Sequence, residues 1–241
     1  MHYVISDIHG CYKEFLELID RIGLKDSDDL YILGDSVDRG PEPIALLQDL
    51  MLRPNVYPLI GNHEYMALEV LQKLTVEITE ENAESWLKEE DLTSYVHWIA
   101  DGGAITADQY SSLSLEEKED ILDYLQEGQL YADLSVNGKR FILVHAGIDH
   151  FDPLKDLDDY GPEDLIFHRV RREGPYFADP DTFMIIGHTP TKSLRKDKKP
   201  LIFEKDQQIY IDCGCIFGGN LCAYCLETGE AFYVPREKDP A

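Results

Sequence analysis

Gly34-Asp35-Ser36-Val37-Asp38-Arg39-Gly40 follows directly on the apolar run Tyr31-Ile32-Leu33. The run reads as a short buried strand, and the loop behind it carries two carboxylates and a guanidinium between glycines that let the backbone bend sharply. Charges packed this closely need an ionic guest or one another. Taken alone, the stretch would equally serve as a polar strand-to-helix turn with Pro41 opening the next helix. Its neighbours decide between these readings.

Upstream, Val4-Ile5-Ser6 leads into Asp7-Ile8-His9-Gly10, and Phe15, Leu18, Ile19 and Ile22 then recur at helical spacing. Side chains two apart in extended chain point the same way, so Asp7 and His9 offer an oxygen and an imidazole on one side, ligand types suited to a borderline divalent cation. Downstream of the opening stretch, Ile44, Leu47 and Met51 mark one helix face. Val56 to Ile60 then reads as a strand ending in Gly61-Asn62-His63-Glu64, with Ala67, Val70, Leu71 and Leu74 on the helix beyond. Three successive strand-loop-helix units predict a parallel sheet whose polar loops emerge at one carboxyl edge, where open α/β sheets place their sites.

Thr75 to about Tyr131 differs in character, being rich in Glu and Asp, and reads as an inserted, mainly helical cap. Ser114-Leu115-Glu116-Glu117 has capping-box spacing and starts one of its helices. The acidic run Glu77 to Asp91 reads as a solvated helix face. Strands return with Arg140 to Val144, ending in His145-Ala146-Gly147, and with Phe183 to Ile186, ending in Gly187-His188. Between them, Pro162 to Arg172 reads as a short helix with Arg169, Arg171 and Arg172 crowded at its end. The short strands Ile209 to Ile211, Leu221 to Leu226 and Phe232 to Val234 suggest an antiparallel closing sheet.

The chain has 241 residues with a net charge of −25 at pH 7, enough to bury a substantial core in one domain over 1–241. A field of that sign repels polyanions, so neither nucleic acid nor an anionic membrane is expected as a partner. An anionic substrate would need local positive charge from bound metal ions and a few arginines. No apolar run approaches the roughly 20 residues of a membrane span, and no signal-like segment precedes Tyr3-Val4-Ile5, so a cytoplasmic location is expected. Five cysteines, an odd number, fit a reducing compartment. Cys213, Cys215, Cys222 and Cys225 read as small buried thiols rather than a zinc site, because the two pairs lie too close together for a zinc ribbon.

Five strand ends thus carry ligand-type residues: Asp7 and His9, Asp35 and Asp38, Asn62 and His63, His145, and His188. Buried strand ends do not ordinarily collect imidazoles. The mixture of carboxylate, imidazole and amide suits a pair of manganese, iron or zinc ions better than calcium or a structural zinc. The ordered set Asp7-x-His9-Gly10, Gly34-Asp35-x-Val37-Asp38-Arg39-Gly40, Gly61-Asn62-His63-Glu64, His145-Ala146-Gly147 and Gly187-His188 resembles the calcineurin-like metallophosphoesterase superfamily. Within it, the chain is most similar to the phosphoprotein phosphatase family in its small bacterial and phage serine/threonine phosphatase branch. Trp98 to Gly103 and Ile211-Asp212-x-Gly214-Cys215 with Phe217-Gly218-Gly219 extend the likeness. Departures are Ser6 in place of a common Gly, Ala146 in place of Gly, and Phe167 two places before Arg169 where tryptophan is frequent.

The resemblance implies an α/β fold, a four-layer α-β-β-α sandwich with the helical insertion at about 75–131. It also implies two divalent metal ions, with manganese expected ahead of iron or zinc. Asp7 and His9 would bind one ion, Asp35 would bridge, and Asn62, His145 and His188 would complete the other. His63 would be the general acid oriented by Asp38, and Arg39 and Arg169 would hold phosphoryl oxygens, with Arg171 or Arg172 able to replace Arg169. The implied function is a phosphomonoesterase, first a serine/threonine protein phosphatase acting on a phosphorylated protein or a small phosphoester. The alternative is a symmetrical diadenosine-tetraphosphate hydrolase, for which the acidic cap offers no basic cluster. A catalytically silent binding module would be expected to have lost ligand residues that this chain keeps.

Overall fold

A computed structural model describes residues 1–76, 79, 88–169 and 172–237. Most of the acidic run Glu77 to Asp91 and also Arg171 lie outside the described residues. The chain begins with β1 (His2–Ile5), α1 (Tyr12–Ile22), β2 (Asp29–Ile32), α2 (Pro43–Met51), β3 (Val56–Pro58) and α3 (Asn62–Thr75). Three further helices follow, α4 (Glu89–Trp98), α5 (Ala104–Ser111) and α6 (Leu115–Glu127). The remainder comprises β4 (Tyr131–Val136), β5 (Lys139–Val144), α7 (Pro162–Leu165), β6 (Thr182–Ile186), β7 (Phe203–Lys205), β8 (Gln208–Tyr210), β9 (Asn220–Cys225) and β10 (Ala231–Pro235).

The strands form two five-stranded sheets, ordered β10-β9-β1-β2-β3 and β4-β5-β6-β8-β7. β1, β2 and β3 run parallel, as their repeated strand-loop-helix grammar requires. Alternation along β1 explains the layering. Tyr3 and Ile5 pack with Phe15, Leu18, Leu46 and Leu50 of α1 and α2, whereas Val4 faces Phe141, Leu143 and Ile185 of the second sheet. Residues at odd and even positions are therefore both buried, and the strands read as continuous apolar runs instead of alternating ones. The outer face of the second sheet, with Ile142, Val144 and Ile186, is covered by Leu165 of α7 and by Ile148, Tyr160 and Tyr176. The result is the expected α-β-β-α sandwich. α3, α5 and α6 pack their own apolar faces beside α2, around Trp98, Tyr110 and Ile121.

Four local expectations need correction. The last strands do not make a separate antiparallel sheet, because β9 joins the first sheet antiparallel to β1 and β10 pairs antiparallel to β9 at its edge, whereas β8 runs parallel to β6 in the second. α7 stops at Leu165, so Arg169 and Arg172 do not sit at a helix end. Pro43, not Pro41, opens α2. β4 precedes Arg140, where strands are expected to return; its apolar face, Ala132, Leu134 and Val136, packs into the core between the sheets and it pairs with β5 over six residues. Among the described residues, no helix is long and apolar enough to cross a membrane.

Candidate metal centre

The loops after β1, β2 and β6 are built on left-handed backbone at non-glycine residues: Asp7 (φ 52°), His9 (φ 47°), Asp35 (φ 55°), Asp38 (φ 68°), Arg39 (φ 65°) and His188 (φ 59°). Such residues carry strain that persists only where surrounding contacts fix them. Glu64 supplies much of that fixation. From the first turn of α3 its buried carboxylate accepts the backbone N–H groups of Asp35 and Ser36 at 2.6 Å each, Gly61 at 3.0 Å and Val37 at 3.3 Å. The β1 loop is stitched to the same segment by His9 N–H to Asp35 O and Gly10 N–H to Ser36 O, both 2.8 Å. Gly61 admits no larger residue, since a Cβ there would lie 2.3 Å from Asp35 Oδ1.

Two groups of ligand atoms converge on Asp35. His9, Asp35 and His63 form one, and Asp35, His145 and His188 the other, each with its atoms within 4.8 Å of one another and all residues buried. His9 Nδ1 donates to Val37 O at 2.9 Å and His145 Nδ1 to Leu33 O at 2.6 Å. A backbone acceptor at Nδ1 holds the proton there and leaves the Nε2 lone pair free for a metal. At the second group, His145 Nε2 faces Asn62 Oδ1 and His188 Nδ1, each 3.1 Å away, so acceptor atoms converge where a cation is needed. At the first, the Arg39 guanidinium itself approaches His9 Nε2, at 3.1 Å.

The electrostatics point the same way. Burial pushes His9 and His188 down to about 3, which keeps both imidazoles neutral and ligand-ready. Burial would raise the Asp35 carboxyl, but the ring of histidines around it holds it below the ordinary carboxylate range. Asp7, whose Oδ2 accepts the His188 N–H at 2.9 Å and the Ser6 hydroxyl, is pushed up to about 6 by burial. Burial likewise raises Asp212, with the Asp7 charge beside it adding to the effect. Buried carboxylates that resist ionising together suit a site meant for cations.

Beside these groups, His63 Nδ1 lies 2.7 Å from Asp38 Oδ2. The same carboxylate accepts Trp98 Nε1–H at 2.7 Å and the Thr106 hydroxyl at 2.7 Å, so it is held at full burial by groups from α4 and α5. Burial alone would depress His63, but the charges of Asp35 and Asp38 and the hydrogen bond to Asp38 outweigh it and raise the imidazole to about 9. Its Nε2 is buried with no hydrogen-bond partner among the described residues, the Asp101 carboxylate standing 3.5 Å away. Asp101 also binds Arg39 Nη2 at 2.8 Å. These groups open into a cavity of about 310 Å³ whose lining includes Asp7, His9, Asn62, His188, Arg39 and Arg169.

All ten residues singled out from the sequence thus lie in or against one pocket. Arg169 lines it, its Nη1 donating to His188 O at 2.6 Å, whereas Arg172 turns to Pro175 O and stacks over Phe151 and Tyr176. Trp98, Thr106, Asp101, Glu64 and Asp212 were given no role from sequence. The Trp98 to Gly103 and Asp212 segments carry only a likeness to a family, and no spacing rule connects a tryptophan to a carboxylate 60 residues earlier. The five cysteines are free and buried.

Comparison with known proteins agrees with this arrangement. The asymmetrical bis(5'-nucleosyl)-tetraphosphatase PrpE of Halalkalibacterium halodurans is 26% identical, with 98% of this chain and 94% of that protein aligned. The symmetrical bis(5'-nucleosyl)-tetraphosphatase of Buchnera aphidicola subsp. Schizaphis graminum is 30% identical, with 98% of each covered. Serine/threonine-protein phosphatase 2 of Salmonella typhimurium is 26% identical, covering 93% of this chain and 92% of that one. The family of calcineurin-like phosphoesterases matches residues 3–228, and because that stretch is most of the chain and contains every strand-end loop described above, the chain belongs to that family.

Proposed function

We propose that the chain is a metal-dependent phosphoanhydride hydrolase that cleaves bis(5'-nucleosyl) tetraphosphates symmetrically into two nucleoside diphosphates. The observation that carries the chemistry is Asp35, one carboxylate common to two histidine-bearing ligand groups, with His63 against it. The substrate class rests on the relatives: tetraphosphatases match along almost the whole chain at up to 30% identity, and this favours the alternative reading over a protein phosphatase, although a serine/threonine phosphatase is among the matches.

Asp7, His9 and Asp35 would hold one divalent ion, and Asp35, Asn62, His145 and His188 the other, with manganese proposed. When bound, such a pair acidifies water so that a hydroxide nucleophile exists near neutral pH. The protein's own groups do the rest. Arg39 and Arg169 meet the non-bridging oxygens of the phosphoryl group, for which planar guanidinium donors are matched. Asp38 keeps the His63 proton at Nδ1 and favours the charged ring, leaving Nε2–H to protonate the departing phosphate oxygen as the P–O anhydride bond breaks and the new P–O bond to water's oxygen forms. Trp98 and Thr106 hold Asp38 in register for that task.

The test is a hydrolysis panel on the manganese-reconstituted protein with diadenosine tetraphosphate, phosphoserine and phosphothreonine peptides, and an aryl phosphate, products being separated by chromatography. ADP as the sole nucleotide product is expected, with kcat/KM for diadenosine tetraphosphate above that for the peptides. Equal yields of ATP and AMP would replace symmetrical by asymmetrical cleavage. Faster turnover of phosphopeptides would restore the protein-phosphatase reading, and lack of turnover on every substrate would overturn the hydrolase.

A further inference from the structure

Phe217 is 66% exposed, although it sits among residues that are otherwise buried or engaged. It closes the one-turn segment Cys215–Phe217, bounded by Gly214 (φ 71°) and Gly218 (φ 79°), both left-handed. The turn is tied by Phe217 N–H to Gly214 O at 3.0 Å, and by Gly218 N–H to Cys215 O and Gly219 N–H to Gly214 O at 2.9 Å each. Gly219 is backed so closely that a Cβ there would lie 2.1 Å from Cys213 O. The fold thus holds an aromatic ring out from a rigid turn, where it adds nothing to the core.

Its position gives the exposure a use. Phe217 lines the metal-centre cavity, and its neighbours Ile216 and Gly218 line a second, larger cavity of about 650 Å³ with Arg39, Pro41 and Ile105. Arg39 and Ile216 belong to both cavities. The Arg39 guanidinium lies 5.8 Å from the centre of the Phe217 ring, so the same arginine that lines the inner cavity also braces the ring. At about 310 Å³ the inner cavity is at the small end of ligand pockets, and a substrate with its phosphoryl group there must send the rest of itself across the rim.

We propose that Phe217 is the nucleobase platform of this chain: the base of the nucleoside diphosphate stacks on its ring, with the phosphates anchored at Arg39. This rests on the dinucleoside-polyphosphate reading and places base recognition on the turn before β9 rather than on the helical insertion. Stacking needs only a flat π-face, so the platform accepts purines with little discrimination among them. It also removes the objection from the acidic insertion, which is not asked to bind the base.

Binding is measured on the manganese-loaded protein by isothermal titration calorimetry with ADP and with inorganic pyrophosphate, for wild type, Phe217→Ala and Phe217→Trp, together with KM for diadenosine tetraphosphate. Phe217→Ala is expected to weaken ADP about tenfold, in the range of a lost base–aromatic stack, with a matching rise in KM. Pyrophosphate, which has no base, should shift by less than about twofold by the same arithmetic. Phe217→Trp should restore ADP affinity and show indole fluorescence quenched by ADP but not by pyrophosphate. Equal weakening of ADP and pyrophosphate would reduce Phe217 to a support for Arg39 and overturn the platform. So would unchanged ADP binding. If wild type cleaves diadenosine tetraphosphate while Phe217→Ala leaves KM unchanged, the platform alone fails. If wild type binds ADP through Phe217 yet does not cleave the tetraphosphate, the function fails and the platform stands.

Discussion

His63 concentrates the chemistry at the residue scale, and its surroundings set its pH behaviour. Its value near 9 lies above the ordinary 6.5, so the charged ring, and the stability it contributes, is fully present below about 6.5 and is lost as pH rises through about 9. Cations bound at Asp35 would offset part of that rise, but loss of the ring proton still makes kcat fall on the alkaline side, and Asp38→Asn should move that limb to lower pH in a kcat–pH profile. A limb unmoved by this change would separate it from His63. Because proton donation matters most for a poor leaving group, His63→Asn should lower kcat on an alkyl phosphate by about 10²- to 10⁴-fold and on diadenosine tetraphosphate by much less, a comparison read in steady-state assays. Asp101 is the counterweight to Arg39. An exposed ion pair of this type is worth up to about 1 kcal/mol, so Asp101→Asn should tighten competitive inhibition by inorganic phosphate by about 2- to 5-fold. Weaker inhibition would mean that Asp101 positions Arg39 instead of competing for it.

Glu64 shows how an element is used. The first turn of α3 presents its carboxylate to four backbone N–H groups from the loops after β2 and β3, so the helix start is the clamp for the ligand loop. Glu64→Gln keeps the shape but turns an NH₂ toward those donors. Metal affinity should fall about 10- to 100-fold, as for other residues that orient ligands from behind, with activity regained at high manganese; metal titration followed by activity measures this. The signature Gly61-Asn62-His63-Glu64 made the loop legible from sequence, and the capping box at Ser114 was equally legible, Ser114 and Glu117 exchanging hydrogen bonds. Both depend on residues three apart in the chain. β4 carries only a short alternation, Ala132, Leu134 and Val136 against Asp133 and Ser135, at the end of the acidic insertion, and its pairing with β5 over six residues completes it. The end of α7 is not legible, because the nearby arginines suggest a helix terminus whereas α7 ends at Leu165.

Across the whole molecule, the centre lies where the two sheets meet. Asp7, His9, Asp35 and Asn62 come from the first sheet and its loops, and His145 and His188 from the ends of β5 and β6 in the second, with His145 Nδ1 bonded to Leu33 O across the divide. Bound ions would therefore cross-link the sheets, and chelation should lower the thermal midpoint. Saturation at a hundredfold excess over Kd corresponds to about 2.7 kcal/mol, and calorimetry with and without EDTA measures the shift. No shift on adding manganese would argue against occupancy by both sheets' ligands. The sequence by itself determined the parallel start of the first sheet and the ligand residues at five strand ends, because apolar periodicity and strand-end loops are local and a strand end can be read within a few residues. Only the tertiary structure decided the rest. It assigned β8 and β9 to different sheets, brought Trp98, Thr106 and Asp101 of the insertion against Asp38, His63 and Arg39, and set Phe217 at the rim of the cavity, since each of these contacts joins segments that nothing in the spacing of the chain connects.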